Sequence, residues 1–105
     1  MIKVFVRTSN QQVVSFEIHG HAGFDVNGKD IVCAAVSVLA YNCINSCEVL
    51  AGTALHVTDT GQKMSVSIPQ NVSKEVCLLI SSFVLGIEQI CQQYPEYVQI
   101  YSIES

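Results

Sequence analysis

One stretch governs what this chain can fold into. Ile31 to Val36 is unbroken apolar sequence, and past Ser37 the run resumes from Val38 to Tyr41. A helix on the surface of a two-layer domain buries one stripe and wets the other. A helix starting here has little to offer water in its first two turns. A membrane span needs about 20 apolar residues, and this stretch is about half that, so no membrane insertion is expected. The N-terminus, Met1-Ile2-Lys3-Val4-Phe5-Val6-Arg7, shows no long apolar core or small-residue cleavage site of the secretory kind. The expectation is a cytoplasmic protein whose first helix packs on a sheet with one face. The rest of that helix would pack on the other helix or on a second copy, and a homodimer is the preferred reading.

Composition narrows the class. The chain has 105 residues, half of them apolar, 13% charged, with a mean hydropathy of +0.38. That length is one ordinary domain, and that hydrophobicity excludes a disordered tail. Five basic against nine acidic residues give a net charge of −4, with no cluster of Lys or Arg, which speaks against direct nucleic-acid binding. Cys33, Cys43, Cys47, Cys77 and Cys91 are odd in number and follow no zinc-site or small-secreted-domain spacing. Reduced thiols are the expectation.

Without repeats or linkers, the chain reads as a single domain. Ile2–Arg7 and Val13–Ile18 read as strands around a turn at Ser9-Asn10-Gln11. Ala54–Thr60 and Met64–Ile68 alternate with period two around Asp59-Thr60-Gly61-Gln62. Tyr97–Ile103 is a last strand. A first helix is expected from about Ile31 to Leu50, with Asp30 as cap and Gly52 just past its end. A second runs from about Ser73 to Tyr94, capped by Ser73 or Asn71 and stopped by Pro95. The order β-β-α-β-β-α-β implies an α+β fold, a mainly antiparallel sheet with two helices packed on one face.

The segment from His19 to Ser37 carries the chemistry. It joins a histidine at a strand end to a cysteine in the first turn of a helix, through a connection loosened by Gly23, Asn27 and Gly28. Free backbone N–H groups and the positive end of the helix dipole stabilise a thiolate near Cys33, and His21 is the natural base or ion-pair partner. A small buried hydrophobe is the alternative for Cys33. Spacing puts Asp30, Cys33, Ser37 and Tyr41 on one helix face. Ser37 would bond the sulfur, a substrate group or its own i−4 carbonyl. Asp30 would orient His21 or simply cap the helix. Tyr41 fits core or interface better than catalysis. His19 and His21 share a face by period two, so His19, His21 and Cys33 are conceivable Zn²⁺ ligands, although no fourth is identifiable. Cys43 and Cys47, like Cys77 and Cys91, read as packing, and His56 as exposed.

Gly20-His21-Ala22, then Gly28-Lys29-Asp30-Ile31-Val32-Cys33-Ala34-Ala35, then Ser37, resembles the signature of the ribosomal-processing cysteine protease family, Prp. The resemblance implies a cytosolic endopeptidase that removes a short N-terminal extension from large-subunit ribosomal protein L-twenty-seven, cutting after a hydrophobic stretch that ends in phenylalanine. It also implies a homodimer without metal or other cofactor. On its terms Cys33 and His21 are catalytic, and Asp30 and Ser37 are supporting. The residues Ala22, Gly23, Phe24, Asp25, Val26, Asn27, Gly28 and Lys29 form a mobile loop that closes around substrate. The competing reading is a non-catalytic, dimeric, ribosome-associated domain in which residues 20 to 37 form a peptide groove.

Overall fold

Two hairpins and two helical crossovers build the molecule, a computed structural model that describes residues 1–20 and 29–104, with backbone alone at 29 and 30. The strands are β1 (Ile2–Ser9), β2 (Gln12–His19), β3 (His56–Asp59), β4 (Lys63–Ser67) and β5 (Val98–Glu104). The helices are α1 (Lys29–Val49) and α2 (Lys74–Gln93), in the expected order. The strands form one sheet, β3-β4-β2-β1-β5, antiparallel throughout except for the parallel pair β1–β5.

Local chemistry accounts for the joints. Asn10 and Gln11 both take positive φ (54° and 66°), so Ser9 pairs with Gln12 across a two-residue turn whose twist matches the strands. The β3–β4 connection is three residues, Thr60, Gly61 and Gln62, with Gly61 at φ 88°. Ser73 caps α2 by accepting the Val76 N–H at 3.3 Å, and Pro95 follows its C-cap, Tyr94. Past α1, Gly52 turns left-handed at φ 67° and the Thr53 N–H donates back to the Cys47 carbonyl at 2.8 Å. Two expectations shift. The strand expected from Ala54 begins at His56, because β3 extends only as far as its β4 partners, from Ser67 to Met64. Asp30 is the second residue of α1 rather than its cap, since helical backbone begins at Lys29.

Strand alternation then decides the layers. Ile2, Val4, Val6, Phe16, Ile18, Met64, Val66 and Val98 point inward and are buried. They meet Val32, Val36, Ala40, Cys43, Ile44 and Cys47 of α1 and Val76, Ile80, Phe83 and Ile87 of α2 in one core. The Phe16 and Phe83 rings lie 4.4 Å apart at that junction. Full burial of each such side chain contributes about 1.5–3 kcal/mol. Both helices are long and apolar enough to cross a membrane by length and composition, although the unbroken apolar run is too short. Much of their apolar content faces this core.

Candidate active site

The chain order fixes where the site assembles. β2 runs toward Gly20, and α1 leaves that same end because it crosses back to β3, which lies parallel to β2 with β4 between them. The end of the sheet at Gly20 therefore carries the start of α1 as well.

Gly20 is held from two sides. Its φ is 78°, its N–H donates to the Gln62 carbonyl at 3.1 Å, and a Cβ there would stand 2.9 Å from the Met1 carbonyl oxygen. Only glycine fits both the dihedral and the close approach. That left-handed residue also ends the strand, whose last residue is His19. His19 lies on the face of the sheet away from the helices, its Nε2 2.9 Å from Oε1 of Glu17 and its ring edge-on to Phe5. The His19 hydrogen bond is the main cause holding the Glu17 carboxyl below its usual range, with Lys63 and Arg7 assisting. Cys33 lies in the core between the helices and the opposite face. The geometry thus separates His19 from Cys33 and removes the shared-metal reading of that pair.

Cys33 is the fifth residue of α1 and is 6% exposed. Side chains on a helix lean toward its N-terminus, so the thiol of a residue here sits over the first turn, where backbone N–H groups have no helical acceptor. Ser37 follows one turn on and is half-buried, while Tyr41 is 42% exposed. The expected polar stripe is therefore a spiral. Each four-residue step rotates about 40° around a helix of 3.6 residues per turn, carrying the row from core to solvent. Tyr41 donates its hydroxyl proton to Asp59 Oδ2 at 2.5 Å, and the carboxylate raises the tyrosine pKa. Lys29, expected in the loop, is the first residue of α1. His21 and the rest of the loop, Ala22 to Gly28, lie outside the described residues, as does the Asp30 side chain.

At three of the other cysteines burial favours the protonated thiol. Burial, with Cys47 alongside, pushes the Cys43 thiol up to about 12. Burial also raises Cys47, and burial with Glu88 nearby raises Cys91. Such thiols pack rather than react. Sequence reading missed a cavity of about 750 Å³ at the opposite end of β2 from Gly20, lined by both turns there and by His56 and Cys77. Its only sequence trace is the pair of turn signals, Asn10-Gln11 and Pro69-Gln70-Asn71.

A crossover helix carrying a cysteine near its start, at the sheet end where a histidine-bearing strand stops, is a frame for thiol chemistry, and comparison makes the class explicit: the protein is a cysteine protease. Residues 1–99 match the family described as cysteine protease Prp. The chain is 30% identical to the ribosomal processing cysteine protease Prp of Bacillus subtilis (strain 168), over 95% of this chain and 96% of that one. It belongs to the Prp family. Among solved structures, SMU.848 from Streptococcus mutans superposes with a TM-score of 0.93 at 32% identity, covering 100% of this chain and 96% of that one. The essential ribosomal processing protease Prp from S. aureus, in complex with a substrate peptide, gives 0.89 at 21% identity over 97% and 99% of the two chains. The same S. aureus protease with a covalently linked product peptide gives 0.86 at 22% identity over the same shares.

Proposed function

We propose that this protease removes the N-terminal extension of large-subunit ribosomal protein L-twenty-seven, cutting after a hydrophobic stretch that ends in phenylalanine, and that Cys33 and His21 carry the reaction. The observation that bears most weight is that Cys33 is the fifth residue of α1, a helix that starts at the end of the sheet where β2 stops, two residues before His21 in the sequence. The S. aureus relative has been captured with a substrate peptide and with a covalently linked product peptide, which supports peptide cleavage through a covalent intermediate.

In this reading the Cys33 thiolate attacks the scissile carbonyl while His21, first its ion-pair partner, protonates the departing amine. Backbone N–H groups at the start of α1 stabilise the oxyanion. Water, deprotonated by His21, then hydrolyses the thioester and frees the enzyme. Asp30 and Ser37 support these groups, and residues 22 to 29 close over the peptide, with the hinge-side Lys29 anchored in the helix. No cofactor enters. The protein acts in the cytoplasm as a homodimer, an assembly supported by the apolar residues that α1 leaves exposed, Ile31 and Val38 each at 66%.

Mass spectrometry of an extension peptide ending in Phe-Phe, incubated with wild type and with Cys33→Ala under reducing conditions, tests the reading. Cleavage after the apolar stretch by wild type alone is expected. An intact peptide with wild type, or cleavage by Cys33→Ala, overturns it. Binding without cleavage by both proteins would instead identify a peptide-binding module.

A further inference from the structure

The catalytic helix and the strand end that leads to His21 are tied together through a third element. Tyr41 lies eight residues beyond Cys33 on α1, roughly 12 Å along the helix axis. Its hydroxyl donates to Asp59 Oδ2, and Asp59 Oδ1 accepts the Gly61 N–H at 2.8 Å. The turn that follows is braced internally. The Thr60 hydroxyl accepts N–H bonds from Gln62 at 3.4 Å and Lys63 at 3.2 Å, and the Thr60 N–H donates to the Lys63 carbonyl at 3.1 Å. The far side of that turn, the Gln62 carbonyl, holds the Gly20 N–H. A Cβ at Gly20 would meet the Met1 carbonyl oxygen, and His21 is the next residue in the chain.

We propose that Tyr41 and Asp59 form a positioning strut, which through the braced 59–63 turn and the Gln62–Gly20 bond sets the chain entering His21 relative to the helix that carries Cys33. The proposal rests on Cys33 and His21 being the reacting pair. Neither strut residue touches substrate. Their job is alignment, and misplacement of reacting groups by as little as 1 Å costs about 100-fold in rate. The position of the strut argues for alignment over stability. Tyr41 is 42% exposed, Asp59 is exposed, and neither belongs to the core. Asp59 uses both carboxylate oxygens as acceptors, so an alanine removes both bonds, whereas an asparagine would keep Oδ1 for Gly61 and turn its NH2 toward the tyrosine oxygen.

The test compares Tyr41→Phe, Asp59→Ala and the double variant for kcat and KM on the extension peptide, well below their melting temperatures. Alkylation rates of Cys33 are measured alongside. Ser46→Ala, which removes an exposed side-chain bond to Asn42 on the same helix, serves as control. A fall in kcat of about tenfold to a hundredfold, with KM within about twofold and Cys33 alkylated more slowly, is expected. The double variant should be no worse than the poorer single variant, because both break one connection. Wild-type kcat in Tyr41→Phe, strictly additive losses, or a loss shared by Ser46→Ala overturns the strut. Parallel assay of Cys33→Ala separates the two ideas. If that variant still cleaves, the reacting pair is wrong and the strut falls with it. If it is inactive while Tyr41→Phe is unimpaired, only the strut falls.

Discussion

The two helices share a layer and a length, yet they use their surfaces differently. α2 runs 20 residues and buries Val76, Ile80, Phe83 and Ile87 along one stripe, turning Lys74, Glu75, Ser81, Ser82, Glu88 and Gln89 to water. Its only large exposed hydrophobics are Leu78 and Leu85. α1 runs 21 residues and buries a comparable stripe, but its outward row begins Ile31, Ala34, Val38, Tyr41 and becomes polar only at Asn42, Asn45 and Glu48. α2 is a structural helix with one job. The N-terminal half of α1 carries the proposed nucleophile on its inner side and unsatisfied apolar surface on its outer side. In the proposed homodimer α1 would serve chemistry and assembly at once, and such a helix cannot also show a clean polar face.

Cysteines on the two helices give the sharpest contrast. Cys33→Ala should lower turnover by at least about 10³-fold, the scale seen when a nucleophile is removed. Cys91→Ala on α2 should leave it within about twofold, since burial holds that thiol protonated. Peptide cleavage rates for the purified pair decide this, and equal losses would erase the distinction. For stability the roles reverse. Phe83 is 3% exposed and its ring abuts Phe16. Phe83→Ala should therefore cost about 3–5 kcal/mol in denaturant unfolding. A cost under 1 kcal/mol would mean α2 is not the anchor of the core.

Signals that act over a few residues were legible in the sequence. Ser73 and Pro95 bracket α2, and Asn10-Gln11 makes the first hairpin, because a cap or a turn is settled by its own residues. The β-β-α-β-β-α-β order followed from them. What depended on partners was not legible. Whether β5 joined beside β1, and in parallel, depends on a crossover no local pattern encodes. β3 lost Ala54 and Leu55 because its length is set by β4. At the site, Cys33 could be singled out from its place near a helix start. The helix face shared by Cys33, Ser37 and Tyr41 was overdrawn, because a spacing of four drifts around the axis. The Tyr41–Asp59 bond joins residues 18 apart in different elements, and only the fold brings them together.

The exposed half of α1 yields a comparison of assembly. In the proposed homodimer Val38 would be covered, so Val38→Asp should weaken association by at least about 30-fold, the scale of a lost hot spot of about 2 kcal/mol. Leu85→Asp, at a site 55% exposed on α2, should leave it unchanged. Sedimentation velocity across a dilution series reads both. A monomeric wild type would remove the dimer altogether, and dissociation by Leu85→Asp alone would move the interface off α1.

A last comparison sets Cys43 against Cys33 on α1 itself. Burial raises the Cys43 thiol from 9.0 to about 12 in the folded chain. Between those values the unfolded chain has released a proton that the folded chain retains. Stability must then fall as pH rises, by up to about 1.4 kcal/mol per pH unit from this thiol, and level off once the folded form also ionises. Below pH 9 the contribution is constant. Urea midpoints measured from pH 8 to pH 11 should decline in the wild type. The decline should be shallower in Cys43→Ala, after allowing for the constant cost of the lost sulfur. Identical slopes would mean the thiol ionises as readily in the folded chain as in the unfolded one, and the distinction between a packing cysteine and a reacting cysteine on this helix would lose its physical basis.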